Sequence, residues 1–101
     1  MSEVRAASFD EVPTGQPMVV DLHGIRVVLA KVGDRVYALG DVCAHQGGPL
    51  SEGKLSGTRL ACPWHGWEFD LGTGRALLDA RLRVRTFAAR IVDGRVLVDF
   101  E

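Results

Sequence analysis

Two short segments that each contain one cysteine and one histidine constrain this chain more than any other feature. Cys43 and His45 are separated by one residue and Cys62 and His65 by two, with sixteen residues between the two pairs. The four residues include both cysteines of the chain and two of its three histidines. Each pair is short enough to lie on one loop, and the linker is long enough to bring the two loops face to face. Because thiolates and imidazoles are metal ligands, the spacing predicts a metal centre held by these four side chains.

The mixed pairing of cysteine with histidine favours one type of metal centre over the others. A [2Fe–2S] cluster can be bound by two cysteines on one iron and two histidines on the other. A structural zinc ion accepts the same ligand types, but zinc fingers usually group cysteine with cysteine and histidine with histidine. A disulfide between Cys43 and Cys62 is a third interpretation, which a reducing compartment disfavours. The pattern therefore favours an iron–sulfur cluster, and colour would distinguish it from the two colourless alternatives.

Length and composition limit the remaining function classes. A chain of 101 residues predicts one domain, 1–101, and 47% hydrophobic with 25% charged residues indicates a globular protein. The net charge of −1 gives no reason to expect nucleic-acid binding. The first residues carry both charge signs without an apolar run, and no stretch approaches the roughly 18 apolar residues that a membrane span needs. We therefore expect a cytoplasmic protein without membrane contact.

Turn residues divide the chain into short strands and predict an all-β fold. His23-Gly24, Gly33-Asp34 and Asp93-Gly94 are predicted tight turns, the last being the strongest hairpin signal. The segment 41–57 contains four glycines and a proline without a sustained period, and is predicted to be a loop with a short turn inside. Strands are predicted at 4–7, 17–22, 25–32, 35–39, 58–61, 67–70, 84–92 and 95–100, and 75–77 is a candidate for further pairing.

The residues that follow the second histidine extend the pattern into that of a known family. With Gly66, Trp67, Phe69 and Asp70 after His65, the chain resembles a Rieske iron–sulfur domain over nearly its whole length. It is similar to the soluble Rieske-type ferredoxins of bacterial ring-hydroxylating dioxygenase systems, and also to the small subunit of NAD(P)H-dependent nitrite reductases. Many of those small subunits lack the ligands, so the complete set favours the ferredoxins. The resemblance implies an antiparallel β-sandwich of small sheets with a two-loop cluster-binding subdomain at about 41–80.

The resemblance also implies a role for each ligand and a range for the reduction potential. One [2Fe–2S] cluster per chain would be bound by Cys43 and Cys62 at the inner iron and by His45 and His65 at the outer iron, near the surface. Respiratory-complex Rieske proteins have a serine and a tyrosine whose hydroxyls donate to the cluster, and here Trp67 and Phe69 stand in those places. The expected potential therefore lies at the low end of the Rieske range, roughly −150 to +300 mV.

These expectations define a function without bond-making catalysis. By the resemblance, the chain would shuttle single electrons from an NAD(P)H-dependent flavoprotein reductase to a terminal oxygenase. The alternative is an electron-relay or structural subunit bound to the large subunit of a nitrite reductase.

Several residues outside the ligand set have two interpretations each. His23 is expected to be an exposed turn residue, and Trp67 to pack in the core. Trp64 is either a core residue or a docking residue near the cluster. Leu77 and Leu78 occupy a loop that usually carries a shielding proline, and are candidates for that role. Six arginines in the last part of the chain form either a solvated strand face or a docking surface for an acidic partner: Arg75, Arg81, Arg83, Arg85, Arg90 and Arg95.

Overall fold

The computed structural model of the chain describes residues 3–41, 50–63, 66–79 and 81–99. Within these ranges the chain forms nine strands and two short 3₁₀ helices. The strands are β1 (Glu3–Ser8), β2 (Met18–Leu22), β3 (Ile25–Val32), β4 (Arg35–Gly40), β5 (Lys54–Ser56), β6 (Arg59–Ala61), β7 (Glu68–Asp70), β8 (Thr86–Val92) and β9 (Arg95–Asp99). The 3₁₀ helices are Phe9–Glu11 and Leu50–Glu52.

Six strands form a large antiparallel sheet in the order β1-β9-β8-β4-β3-β2. The β2–β3 and β8–β9 hairpins each turn through two residues with positive φ, His23-Gly24 at 56° and 83° and Asp93-Gly94 at 51° and 75°. Two consecutive residues with positive φ are what a type I′ hairpin turn requires. The prediction of both hairpins from their turn residues is therefore confirmed.

Strand β3 is buried on both of its faces. Val27 and Leu29 pack in a core with residues of β4, β8 and β9, while Val28 and Ala30 belong to a second core on the opposite side. All four side chains are fully buried. An uninterrupted apolar run, rather than an alternating one, is the sequence pattern of a strand covered on both sides.

The second core lies between the large sheet and a small antiparallel sheet with the order β5-β6-β7. Leu60 and Phe69 from the small sheet pack against the same cluster as Val28 and Leu39 from the large sheet. The predicted all-β fold with antiparallel small sheets is thus confirmed.

The prediction of a loop with a short turn over 41–57 was wrong at strand β5, which lies in that segment. The 3₁₀ helix Leu50–Glu52 is a single turn and agrees with it. Strand β5 has three residues, of which only Leu55 is partly buried, so it is too short to show a period of two. The further pairing expected at 75–77 is confirmed, because Ala76 bridges to Phe69 and Arg75 bridges to Arg83.

The small sheet is inserted between two neighbouring strands of the large sheet. At the end of β4, the backbone N–H of Gly40 donates to the carbonyl oxygen of Arg85 at 2.8 Å. The chain therefore leaves the large sheet after Gly40 and returns at Arg85 to the same place. Among the residues that the structure describes, no helix is long and apolar enough to span a membrane.

Candidate metal centre

Of the four ligands expected from the sequence, Cys62 lies among the described residues. Cys43, His45 and His65 lie outside them, as does Trp64. The geometry of the site is therefore built from Cys62 and from the residues that flank the two ligand segments.

The second ligand segment follows directly from the β6–β7 hairpin. Ala61 pairs with Glu68, and the N–H of Cys62 donates to the carbonyl oxygen of Trp67 at 2.7 Å. The pairing of β6 with β7 therefore continues to Cys62 and Trp67, and residues 63–66 connect these two residues. Gly66 has a φ of 68°, which a residue with a side chain rarely adopts, so glycine suits the returning arm.

Cys62 lies at the buried base of this hairpin tip. Its relative exposure is 2%, and it packs in the second core with Leu50, Leu60 and Phe69. Trp67 is half-buried and packs against the same cluster, which confirms its predicted core role. In contrast, Pro63 and Gly66 near the tip are exposed. The hairpin therefore places Cys62 in apolar surroundings, while the residues that directly follow Cys62 and His65 reach solvent.

The base of the first ligand segment is held by Asp41, a residue that the sequence pattern did not single out. Its side chain is 1% exposed. The carboxylate accepts hydrogen bonds from Arg26 Nε at 3.1 Å, from the Ser51 N–H at 2.7 Å and from Ser51 Oγ at 3.1 Å. Since Asp41 precedes the ligand segment and Ser51 follows it, one carboxylate ties together the two ends of that segment.

Gly53 brings the bases of the two ligand segments into contact. A Cβ atom at this position would overlap the carbonyl oxygen of Ala61 and come within 3.1 Å of the carbonyl oxygen of Leu50. Leu50 follows the first ligand segment, and Ala61 directly precedes Cys62. The close backbone approach therefore positions Leu50 and Ala61, which flank the two segments, side by side.

These features suit an iron–sulfur cluster. The thiol of Cys62 lies in an apolar core, as expected of a ligand to a buried inner iron, and both ligand segments start from one packed base. Leu77 and Leu78 are 48% and 76% exposed, so their packing gives no support for a shielding role, which stays a prediction. His23 is exposed at the β2–β3 turn, as expected.

A comparison with protein families identifies the architecture. Residues 2–88 match the family model of the Rieske [2Fe-2S] domain. The chain belongs to the Rieske [2Fe-2S] domain family. The family implies a [2Fe–2S] cluster as the cofactor, in agreement with the sequence prediction.

Ferredoxin components match this Rieske chain over nearly all of both lengths. The ferredoxin component of naphthalene 1,2-dioxygenase/salicylate 5-hydroxylase systems from Ralstonia sp. is 31% identical, covering 97% of this chain and 95% of the relative. The ferredoxin component of a naphthalene 1,2-dioxygenase system from Pseudomonas aeruginosa is 32% identical, covering 95% and 93%. Among solved structures, the ferredoxin of carbazole 1,9a-dioxygenase from Nocardioides aromaticivorans superposes with a TM-score of 0.92, at 30% identity and full coverage of both chains.

Proposed function

We propose that this Rieske chain is the ferredoxin component of a multicomponent oxygenase system. In this role it carries single electrons from an NAD(P)H-dependent flavoprotein reductase to a terminal oxygenase, as one cytoplasmic domain that is not itself an enzyme. The observation that carries the proposal is the end-to-end match with dioxygenase ferredoxin components. These relatives are carriers that their names place within dioxygenase systems, which supports the same role for this chain.

Four residues would hold the cluster: Cys43 and Cys62 at one iron and His45 and His65 at the other. When bound, the cluster supplies a site that accepts and releases one electron. The protein contributes an apolar base around Cys62 and the exposed residues Pro63 and Gly66 beside the second ligand pair. This arrangement supports electron exchange at the histidine end, because the residue that follows His65 faces solvent.

A test of the ligand assignment can use the third histidine as its control. We expect His45→Ala and His65→Ala to abolish the Rieske electron paramagnetic resonance signal of the reduced protein. His23→Ala should leave the signal unchanged, because His23 lies on the exposed β2–β3 turn. A normal signal from either ligand variant, or zinc in place of two iron and two sulfide per chain, would contradict the assignment.

The reduction potential tests the proposed type of carrier. Trp67 and Phe69 carry no hydroxyl group, and Phe69 is fully buried in the core beside Cys62. Hydrogen bonds to the sulfurs raise the potential of a cluster, so the lack of hydroxyls at these two positions supports a low value within the range of about −150 to +300 mV. A midpoint above about +100 mV in a potentiometric titration would be inconsistent with a low-potential ferredoxin.

The partners are tested by reconstitution. The purified protein should restore NAD(P)H-driven hydroxylation when it is mixed with the reductase and the oxygenase encoded beside its gene. Omission of the chain should stop product formation, while the reductase still oxidises NAD(P)H with ferricyanide. Co-purification of the native protein with a sirohaem protein would instead indicate the nitrite reductase alternative.

A further inference from the structure

The small sheet extends beyond β7 through two added segments that carry arginines. The N–H of Asp70 donates to the carbonyl oxygen of Arg75 at 2.9 Å, and the N–H of Val84 donates to that of Gly74 at 2.8 Å. Ala76 and Val84 point into the second core, whereas Arg75 and Arg83 are exposed. Both arginines therefore lie on the outer face of the small sheet, whose β6–β7 hairpin leads to the buried Cys62.

Arg75 and Arg83 stand directly opposite each other. They form an antiparallel bridge, and partners in such a bridge project their side chains to the same side of the sheet. Two like charges in this position destabilise a sheet. The packing of their buried neighbours holds the pair together despite the repulsion.

The acidic side chains on this face are already engaged. Glu68 lies 3.7 Å from Arg59, and Asp79 lies 3.0 Å from Arg81. Asp70 accepts hydrogen bonds from the N–H and Oγ1 of Thr73, at 2.8 and 3.0 Å. Among residues 3–41, 50–63, 66–79 and 81–99, no carboxylate forms an ion pair with Arg75 or Arg83.

Arg85 is exposed as well, but its guanidinium lies 4.6 Å from the centre of the Phe87 ring, and Phe87 packs in the core with Val27 and Leu29. The outward-facing pair is therefore Arg75 and Arg83. The segment 54–85 contains six basic and three acidic residues and so carries a net charge of +3. The rest of the chain carries −4, because the total is −1. Positive charge is thus concentrated on the part of the molecule that contains the ligand hairpin.

We propose that Arg75 and Arg83 form a docking surface for an acidic patch on the protein that exchanges electrons with this chain. The inference rests on the proposed carrier function and deepens it. Guanidinium groups without carboxylate partners attract an acidic surface and accelerate the encounter, and salt weakens this attraction. Arg75 and Arg83 repel each other in the isolated chain. When the acidic partner binds, its carboxylates neutralise both guanidinium groups.

The test compares a neutral double variant with a matched control. Arg75→Gln/Arg83→Gln removes two charges from the surface, and Arg35→Gln/Arg95→Gln removes two exposed charges from the large sheet. Each oxidised protein is mixed in a stopped-flow instrument with two-electron-reduced flavodoxin, an acidic flavoprotein that gives up one electron as the cluster gains one. The methyl viologen radical cation serves as a second one-electron donor without an acidic surface.

We expect the Arg75/Arg83 variant to react with flavodoxin about tenfold more slowly at low salt, with the difference lost at high salt. Its rate with methyl viologen should not fall, its thermal midpoint should not drop, and the Arg35/Arg95 variant should stay within about twofold of the wild type. If both double variants reacted with flavodoxin equally more slowly than the wild type, or if neither reacted more slowly, the proposed docking surface would be contradicted. A wild-type protein that neither donor reduces would contradict the carrier function as well.

Discussion

At the scale of single residues, Asp41 is a buried charged residue at the base of the site. A buried carboxylate is costly unless donors surround it, and here three hydrogen bonds from Arg26 and Ser51 offset that cost. The N–H of Asp41 also donates to the carbonyl oxygen of Arg26 at 3.2 Å. The ends of the first ligand segment are therefore fixed to β3 as well as to each other.

Replacement of Asp41 should release the cluster before it unfolds the protein. Asp41→Asn keeps the shape of the side chain but turns an N–H₂ group toward hydrogen-bond donors. We expect the free energy of unfolding to fall by roughly 1.5–3 kcal/mol. Loss of visible absorbance under mild heating should be faster than in the wild type, while far-UV circular dichroism stays unchanged. Ser51→Ala should produce a smaller effect in the same direction. Equal cluster lifetimes in Asp41→Asn and wild type would contradict this role.

Gly53 and Gly57 lie close together in the chain but should respond differently to substitution by alanine. Gly53→Ala should impair cluster incorporation, because its Cβ would displace the backbone of Ala61 next to Cys62. Gly57 has a φ of 58° and open space where a methyl group would lie, with no atom within 4 Å, so Gly57→Ala should cost only about 1 kcal/mol of backbone strain. The measurement is iron per chain after expression and the urea midpoint of each variant. Full iron content in Gly53→Ala would show that the close approach is dispensable.

At the scale of elements, an ion pair connects two strands that are not neighbours. Arg90 on β8 donates from Nε and Nη2 to both carboxylate oxygens of Glu3 on β1, at 2.6 and 2.7 Å, across the intervening strand β9. These hydrogen bonds hold the pKa of the Glu3 carboxyl below its ordinary value. Because the pKa is lower in the folded state, the pair stabilises the protein at neutral pH, and this contribution is lost as the pH falls through the titration range of the carboxyl.

The pH dependence of stability tests that ion pair. Glu3→Gln should lower the urea midpoint at pH 7, and the difference from the wild type should shrink as the pH approaches about 3. Arg90→Gln should behave in the same way, and the double variant should be no worse than either single variant. A difference that stays constant with pH would mean that the two side chains act through packing alone.

The hairpin turns could be predicted from the sequence, whereas a very short strand and a contact between distant residues could not. Turn residues such as His23-Gly24 and Asp93-Gly94 determine local backbone geometry, so the hairpins they connect were predictable. Strand β5 was missed because three residues carry too little pattern. The role of Asp41 depends on a serine ten residues away and an arginine on another strand, which no local pattern reveals. Cys62 was predicted to be a ligand because metal ligands require particular side chains at particular spacings, and its buried position agrees with that prediction, which stays untested.

At the scale of the whole molecule, strands β3 and β4 separate two cores. Val27 and Val28 are adjacent, identical in type and fully buried, but Val27 faces the core of the large sheet and Val28 faces the core that contains Cys62. Both sides of this strand therefore stabilise the fold, but only the side of Val28 faces the core that contains Cys62.

This pair of valines allows the two cores to be tested separately. Val27→Ala and Val28→Ala should each lower the free energy of unfolding by roughly 1–3 kcal/mol. Val28→Ala alone should also accelerate cluster loss, measured by visible absorbance at a temperature where both variants remain folded. Equal rates of cluster loss would indicate that the two cores respond as one unit.

The pairing of β1 with β9 has a consequence for the biosynthesis of this protein. The first described strand has its partner in the last one, so β1 cannot join the large sheet until β9 has emerged from the ribosome. Strands β2, β3 and β4 can pair as soon as they are made, whereas β1 must wait for its neighbour. The complete six-stranded sheet therefore forms after both predicted ligand segments, which precede β9 in the chain, have left the exit tunnel.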